Sequence, residues 1–144
     1  MAGPAFPPSQ RLAVLDFWLG HWSVASEDGE PAGVDVVEST LDGYVVLEHW
    51  RNVRGVEGKS FFWFDAAADT WQQVWVFGGT VTRKALALAE PGRVRFDGHM
   101  AATPARTTLT ARPDGTVAQL IEQSDDGGVS WETTFDAVYT RLAE

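Results

Sequence analysis

Apolar and polar residues alternate along most of this chain in runs of five to ten positions, separated by short clusters rich in Gly, Asp and Pro. A period of two puts successive side chains on opposite faces, which is the signature of a strand. The separating clusters are "EDGEPAG" at 27–33, "LDG" at 41–43, "GVEG" at 55–58, "DAAAD" at 65–69 and "FGG" at 77–79, followed by "EPG" at 90–92, "TP" at 103–104, "RPDG" at 112–115 and "DDGG" at 125–128. These nine turn signals predict about ten strands, and the Val, Thr, Phe, Tyr and Trp between them suit a pleated surface. One segment differs: "SQRLAVLDFWLG", residues 9–20, spaces Leu12, Leu15, Trp18 and Leu19 as a helix does and stops at Gly20. It predicts a short N-terminal helix or turn.

Short links favour up-and-down pairing of successive strands, and closing the sheet removes its exposed edges. The expected fold is therefore all-β: a single up-and-down antiparallel β-barrel of about ten strands over residues 11–144, preceded by a flexible segment at 1–10. A barrel of that size holds its own side chains plus one small ligand.

Alternation also assigns faces. In "YVVLEHW", Tyr44, Val46, Glu48 and Trp50 share one side and Val45, Leu47 and His49 the other. In "SFFWFD", Ser60, Phe62 and Phe64 oppose Phe61 and Trp63, and in "WQQVWV", Trp71, Gln73 and Trp75 oppose Gln72, Val74 and Val76. Large apolar groups on both faces fit a lined cavity inside a partly covered exterior. The outward pair Phe61 and Trp63 also offers a surface for a homodimer.

Composition narrows the chemistry. The absence of cysteine among 144 residues excludes disulfides, thiolate catalysis and cysteine-ligated metal clusters. A net charge of -9 with no basic run argues against nucleic acid as a partner. No apolar run reaches the length of a membrane span, and no leader pattern opens the chain, so a cytoplasmic location is the default expectation. Three histidines in three separate segments make no metal-binding spacing. The sequence therefore calls for no metal or other cofactor, with one alternative: haem held by a single histidine, for which His99 at the barrel rim would be the residue. "GVEGKS" has too short a glycine spacing for a phosphate loop and leads into a strand, and "DDGG" reads as a hairpin turn.

Gly20-His21-Trp22 at the head of the first strand and Tyr139-Thr140-Arg141 at the end of the last resemble the calycin pattern of lipocalins and fatty-acid-binding proteins. The opening "DFWLGHW", with "GYVVLEHW", "GKSFFWFD", "WQQVWV" and "EQSDDGGVSW" ahead of "FDAVYTR", is similar more specifically to an uncharacterised bacterial lipocalin-like family. The similarity runs over residues 15–141. The chain departs from it at His21, where relatives carry an acidic residue, and at Leu15, where Phe is frequent. The resemblance implies that Trp22 and Arg141 meet at the closed floor of the barrel, a guanidinium on an indole face. It implies a small-molecule cavity and no particular reaction.

Within that cavity the candidate for chemistry is Glu48, because a carboxyl among aromatics is desolvated and its pKa rises toward the range useful for a general acid or base. Trp50, Phe62 and Trp75 are the expected apolar contacts, and Gln73 and Ser60 the neutral groups that orient a ligand. Arg106 in "RTTLT" and Glu122 in "LIEQS" are expected to join Glu48 in a polar cluster. The sequence thus points to a protein that takes a small, largely apolar organic molecule into an aromatic-lined barrel. Two alternatives stand beside it: a cofactor-free isomerase, cyclase or lyase that uses Glu48 in the same cavity, with Gln73 or Arg106 polarising a carbonyl, and an interaction protein with a packed core.

Overall fold

The computed structural model describes residues 11–143; the segment 1–10, expected to be flexible, lies outside the described residues. Ten strands follow one another: β1 (Gly20–Ser26), β2 (Pro31–Thr40), β3 (Val45–Asn52), β4 (Glu57–Asp65) and β5 (Thr70–Phe77) in the first half. The second half holds β6 (Thr80–Glu90), β7 (Arg93–Met100), β8 (Thr103–Ala111), β9 (Val117–Gln123) and β10 (Glu132–Arg141). Each pairs antiparallel with its sequence neighbour, and β1 pairs with β10, so the sheet closes into an up-and-down barrel as the turn spacing predicts. The segment ahead of β1 forms one 3-10 turn, Asp16–Trp18. Among the described residues no helix is long and apolar enough to cross a membrane.

Closure brings the two chain ends together. Trp22 on β1 lies opposite Arg141 on β10, and the guanidinium carbon of Arg141 stands 4.2 Å from the Trp22 ring centre. Arg141 also donates to the carbonyl oxygens of Leu19 at 2.8 Å and Phe17 at 3.3 Å, tying the last strand to the turn before the first. Trp22 Nε1 donates to the Trp18 carbonyl at 2.8 Å. Gly20 adopts a φ of +139°, which side chains rarely tolerate, so the backbone there calls for glycine; a Cβ would also sit 2.6 Å from Arg141 Nη1 and displace the guanidinium.

Trp18 fills the floor from inside, packing edge-on against Phe62 and Tyr139 at ring separations of 5.5 and 6.3 Å. Around it Trp22, Trp71, Phe96, Leu109 and Val117 are buried and form the apolar core. Trp71 Nε1 reaches the Arg11 carbonyl at 2.8 Å, which fastens the N-terminal segment beneath the barrel. The core thus occupies one end. The opposite end, where β1–β2, β3–β4, β5–β6, β7–β8 and β9–β10 turn, opens into a cavity.

Candidate functional site

The cavity measures about 480 Å³. Trp18, Phe62 and Phe96 form its base, and Trp50, Trp75 and Phe135 its upper walls. Trp50 packs edge-on against Phe135 across the mouth, with ring centres 6.2 Å apart, and Trp75 stacks on Phe77 at 5.8 Å. The inward positions of neighbouring strands produce this enclosure: Trp50 and Glu48 from β3, Phe62 and Ser60 from β4, and Trp75 and Gln73 from β5 all sit on the inner face. A barrel with buried aromatic clusters of this kind is compatible with binding a small apolar molecule.

Between the aromatic base and the aromatic mouth runs a belt of polar side chains. On β2 it starts with Asp35, fully buried, diagonal to Glu48 on β3, since Val37 is the direct partner of Glu48. Glu48 lies opposite Ser60 in register. Gln73 Nε2 donates to Ser60 Oγ at 3.1 Å, and Gln73 in turn faces Lys84 on β6. Lys84 Nζ donates to Thr107 Oγ1 on β8 at 2.5 Å, crossing β7 at Gly98, its register partner. Tyr139 on β10 donates its hydroxyl to Gln119 Oε1 on β9 at 2.8 Å. Each of these polar side chains is buried.

The crossing at β7 depends on a missing side chain. A Cβ on Gly98 would lie 1.9 Å from the Arg83 carbonyl oxygen and 2.7 Å from Lys84 Cα, so only glycine lets β6 and β7 approach this closely.

Burial governs the charges on the belt. Loss of solvent, reinforced by the neighbouring Glu48 carboxyl, pushes Asp35 up to about 12, so it is a neutral acid at physiological pH. Burial likewise raises Glu48, against the opposing pull of hydrogen bonds from Asp35 and Ser60 and of the Lys84 charge. Desolvation brings Lys84 down to about 8. The Tyr139 hydroxyl is raised by burial and by the two carboxyls beside it, and stays protonated. A neutral Asp35 carries an O–H that the pair of carboxyls can share.

Two buried polar atoms on cavity-lining residues have no partner among the described residues: the acceptor Gln73 Oε1 and the donor Trp18 Nε1. An orphaned buried group costs about 1–3 kcal/mol, and a ligand that meets it recovers that cost. The buried Asp35 carboxyl has the Glu48 carboxyl and the Tyr139 hydroxyl as its polar neighbours.

The residues expected from sequence separate into two groups. Glu48, Trp50, Phe62, Gln73 and Trp75 line the cavity, and Ser60 stands behind Gln73 as its hydrogen-bond acceptor. Arg106 and Glu122 do not join them. In β8 the inward residues are Ala105, Thr107 and Leu109, so Arg106 turns out and pairs with Glu122 through Nε to Oε1 at 2.9 Å. The Arg106 guanidinium also lies 4.0 Å above the ring of Trp131, on the outer surface. Tyr44, expected on the Glu48 face, is exposed and packs on Phe64 below the strand, because a 3-10 turn at Leu41–Gly43 precedes β3.

His99 turns outward, between the cavity-lining Met100 and inward Gly98, so a group held inside the barrel would not reach it. His49 also faces out, with Nε2 3.0 Å from a Glu38 carboxylate oxygen, and His21 is exposed. Phe61 and Trp63 lie on the outer wall in contact with each other, as the alternation predicts.

Sequence reasoning missed Asp35, Lys84, Thr107 and Gln119, and it read Tyr139 only as part of the closing motif. In "TRKAL" the alternation does place Lys84 with Thr82, but a lysine is ordinarily assigned to the surface. Searched against protein-family models and against curated proteins, the chain matches none.

Proposed function

We propose that this protein binds one small, largely apolar organic molecule in the barrel, with a polar group of the ligand meeting the belt. The observation that carries this reading is the pair of orphaned polar atoms, Gln73 Oε1 and Trp18 Nε1, on the lining of an aromatic cavity of about 480 Å³. A cavity of that volume falls within the range typical of small-molecule sites, and its few polar groups would fix orientation while the rings supply most of the contact area. The stacking of Arg141 on Trp22 and the up-and-down closure support the calycin-like reading of the sequence.

Native mass spectrometry of the purified protein, together with titration of an apolar naphthalene fluorophore, tests the proposal. Saturable binding of one equivalent is expected, and Ala105→Trp, which projects an indole from a cavity-lining position, should abolish it while the barrel still folds. Equal binding by that variant would place the ligand elsewhere and overturn the reading.

The Asp35–Glu48 carboxyl pair supports a second reading, a cofactor-free proton-transfer enzyme in which Glu48, its pKa raised by burial, moves a proton. Of the two groups expected to polarise a carbonyl, Gln73 is inside and Arg106 is outside. Glu48→Gln keeps the shape and removes the proton carrier; unchanged turnover of an identified substrate would sink this second reading.

A further inference from the structure

Lys84 is one of two lysines in the chain; the other, Lys59, is exposed on the outer wall. Lys84 is 8% exposed and lines the cavity. A lysine amine removed from water inside an apolar pocket is the usual environment of an activated nitrogen nucleophile. The group that holds Lys84 Nζ is the neutral hydroxyl of Thr107 rather than a carboxylate, so the amine is positioned without being locked into an ion pair. Directly opposite in register stands Gln73, whose Oε1 is buried and unpartnered.

We propose that Lys84 captures the carbonyl carbon of an apolar aldehyde inside the barrel as an imine. The Nζ lone pair attacks the carbonyl carbon, the C=O π pair moves to oxygen, and that oxygen takes a proton. The nitrogen, cationic after the attack, gives up one proton to form the carbinolamine, which then loses its hydroxyl, with a proton from a neighbouring acid, as water and leaves a protonated imine. Nitrogen is then doubly bonded to the former carbonyl carbon, and no oxidant or reductant is consumed.

Glu48, which lines the same cavity and is electrostatically linked to Lys84, can supply the proton. With its amine near 8, Lys84 is free base in about a tenth of molecules at pH 7, where an ordinary lysine has less than a thousandth. A neutral carbonyl also suits this cavity better than a carboxylate ligand, whose charge would be buried beside Asp35 and Glu48 at considerable cost.

This inference rests on the cavity reading, and the test separates the two. The full-length protein is incubated with 2-naphthaldehyde and cyanoborohydride, which fixes an imine as a stable amine, and labelling is mapped at each amine. Binding of the matching alcohol, 2-naphthalenemethanol, is followed in parallel by tryptophan fluorescence.

Labelling at Lys84 at least ~10-fold faster than at Lys59 or the α-amine, and blocked by excess alcohol, is the expected result. Lys84→Met should lose that label while Lys59 and the α-amine are labelled as before. If the alcohol binds while Lys84 reacts no faster than Lys59, imine capture is overturned and the cavity reading stands. If the alcohol does not bind and Lys84 is unlabelled, both fall.

Discussion

Asp35 and Glu48, diagonal neighbours on β2 and β3, hold their carboxyl groups against each other inside the barrel, next to the hydroxyl of Tyr139. The arrangement stores at least one proton that the unfolded chain would release at neutral pH. Asp35 has its folded pKa raised from 3.8 to about 12, so its contribution to stability is fully present below pH 3.8 and is lost as pH rises.

Asp35→Asn removes this linkage while keeping the shape. The variant should therefore gain stability relative to the native protein as pH rises from 5 to 8, by at most about 1.4 kcal/mol per pH unit. Urea unfolding of both proteins at pH 5, 6, 7 and 8 measures the difference. A constant difference across that range would mean that Asp35 is ionised in the fold.

Lys84 acts with the opposite sign. Its folded pKa is lowered from 10.5 to about 8, so below pH 8 the fold bears the cost of burying a cation, and stability rises between about pH 8 and pH 10.5. Lys84→Met should be more stable than the native protein at pH 7, and that advantage should shrink by pH 10. Thermal unfolding at the two pH values reads the effect; a methionine variant that is less stable at pH 7 would contradict it.

Gly98→Ala should be among the most damaging single changes in the chain, since the added methyl meets the backbone of β6 at 1.9 Å. Overpacking of this kind costs typically 1–3 kcal/mol and more where backbone must move. Denaturant midpoints would show it, and a neutral result would mean that β6 and β7 can separate locally.

Arg141→Ala removes the cation over Trp22 and two hydrogen bonds to the turn before β1. The contact and the bonds together should be worth about 1–3 kcal/mol. Hydrogen exchange should report the loss mainly at β1, β10 and the 3-10 turn, with naphthalene-fluorophore binding retained. Uniform loss of protection throughout the barrel would show that the floor is not an independent latch.

Glu122→Gln breaks the outer pair with Arg106 and should leave fluorophore affinity unchanged, with stability within about 1 kcal/mol of the native value. A marked loss of binding would restore Glu122 to the cavity.

The strand count, the closure and the inward set Glu48, Ser60, Phe62 and Gln73 were legible because alternation is unbroken in β3, β4 and β5. Legibility failed where alternation carried no contrast. In "VDVVEST" valines fall on both faces, so nothing local marks Asp35 as buried. In β6 the alternation places Lys84 with Thr82, but a lysine is ordinarily assigned to the surface, so its inward face went unread. Arg106 and Glu122 misled for the reverse reason: their faces were assigned from chemistry, and each found its partner on the neighbouring strand outside. The belt itself is a property of closure, because β2 and β10 flank β1 only once the sheet has joined its ends.

The Arg141–Trp22 contact also settles which way the molecule can be handled. Chain that continues past Arg141 leaves beneath the sealed base, diametrically away from the opening ringed by Trp50, Trp75 and Phe135. A surface tether or reporter domain joined at that end would leave the opening facing solution, so ligand uptake can be measured on immobilised protein without obstructing the route in.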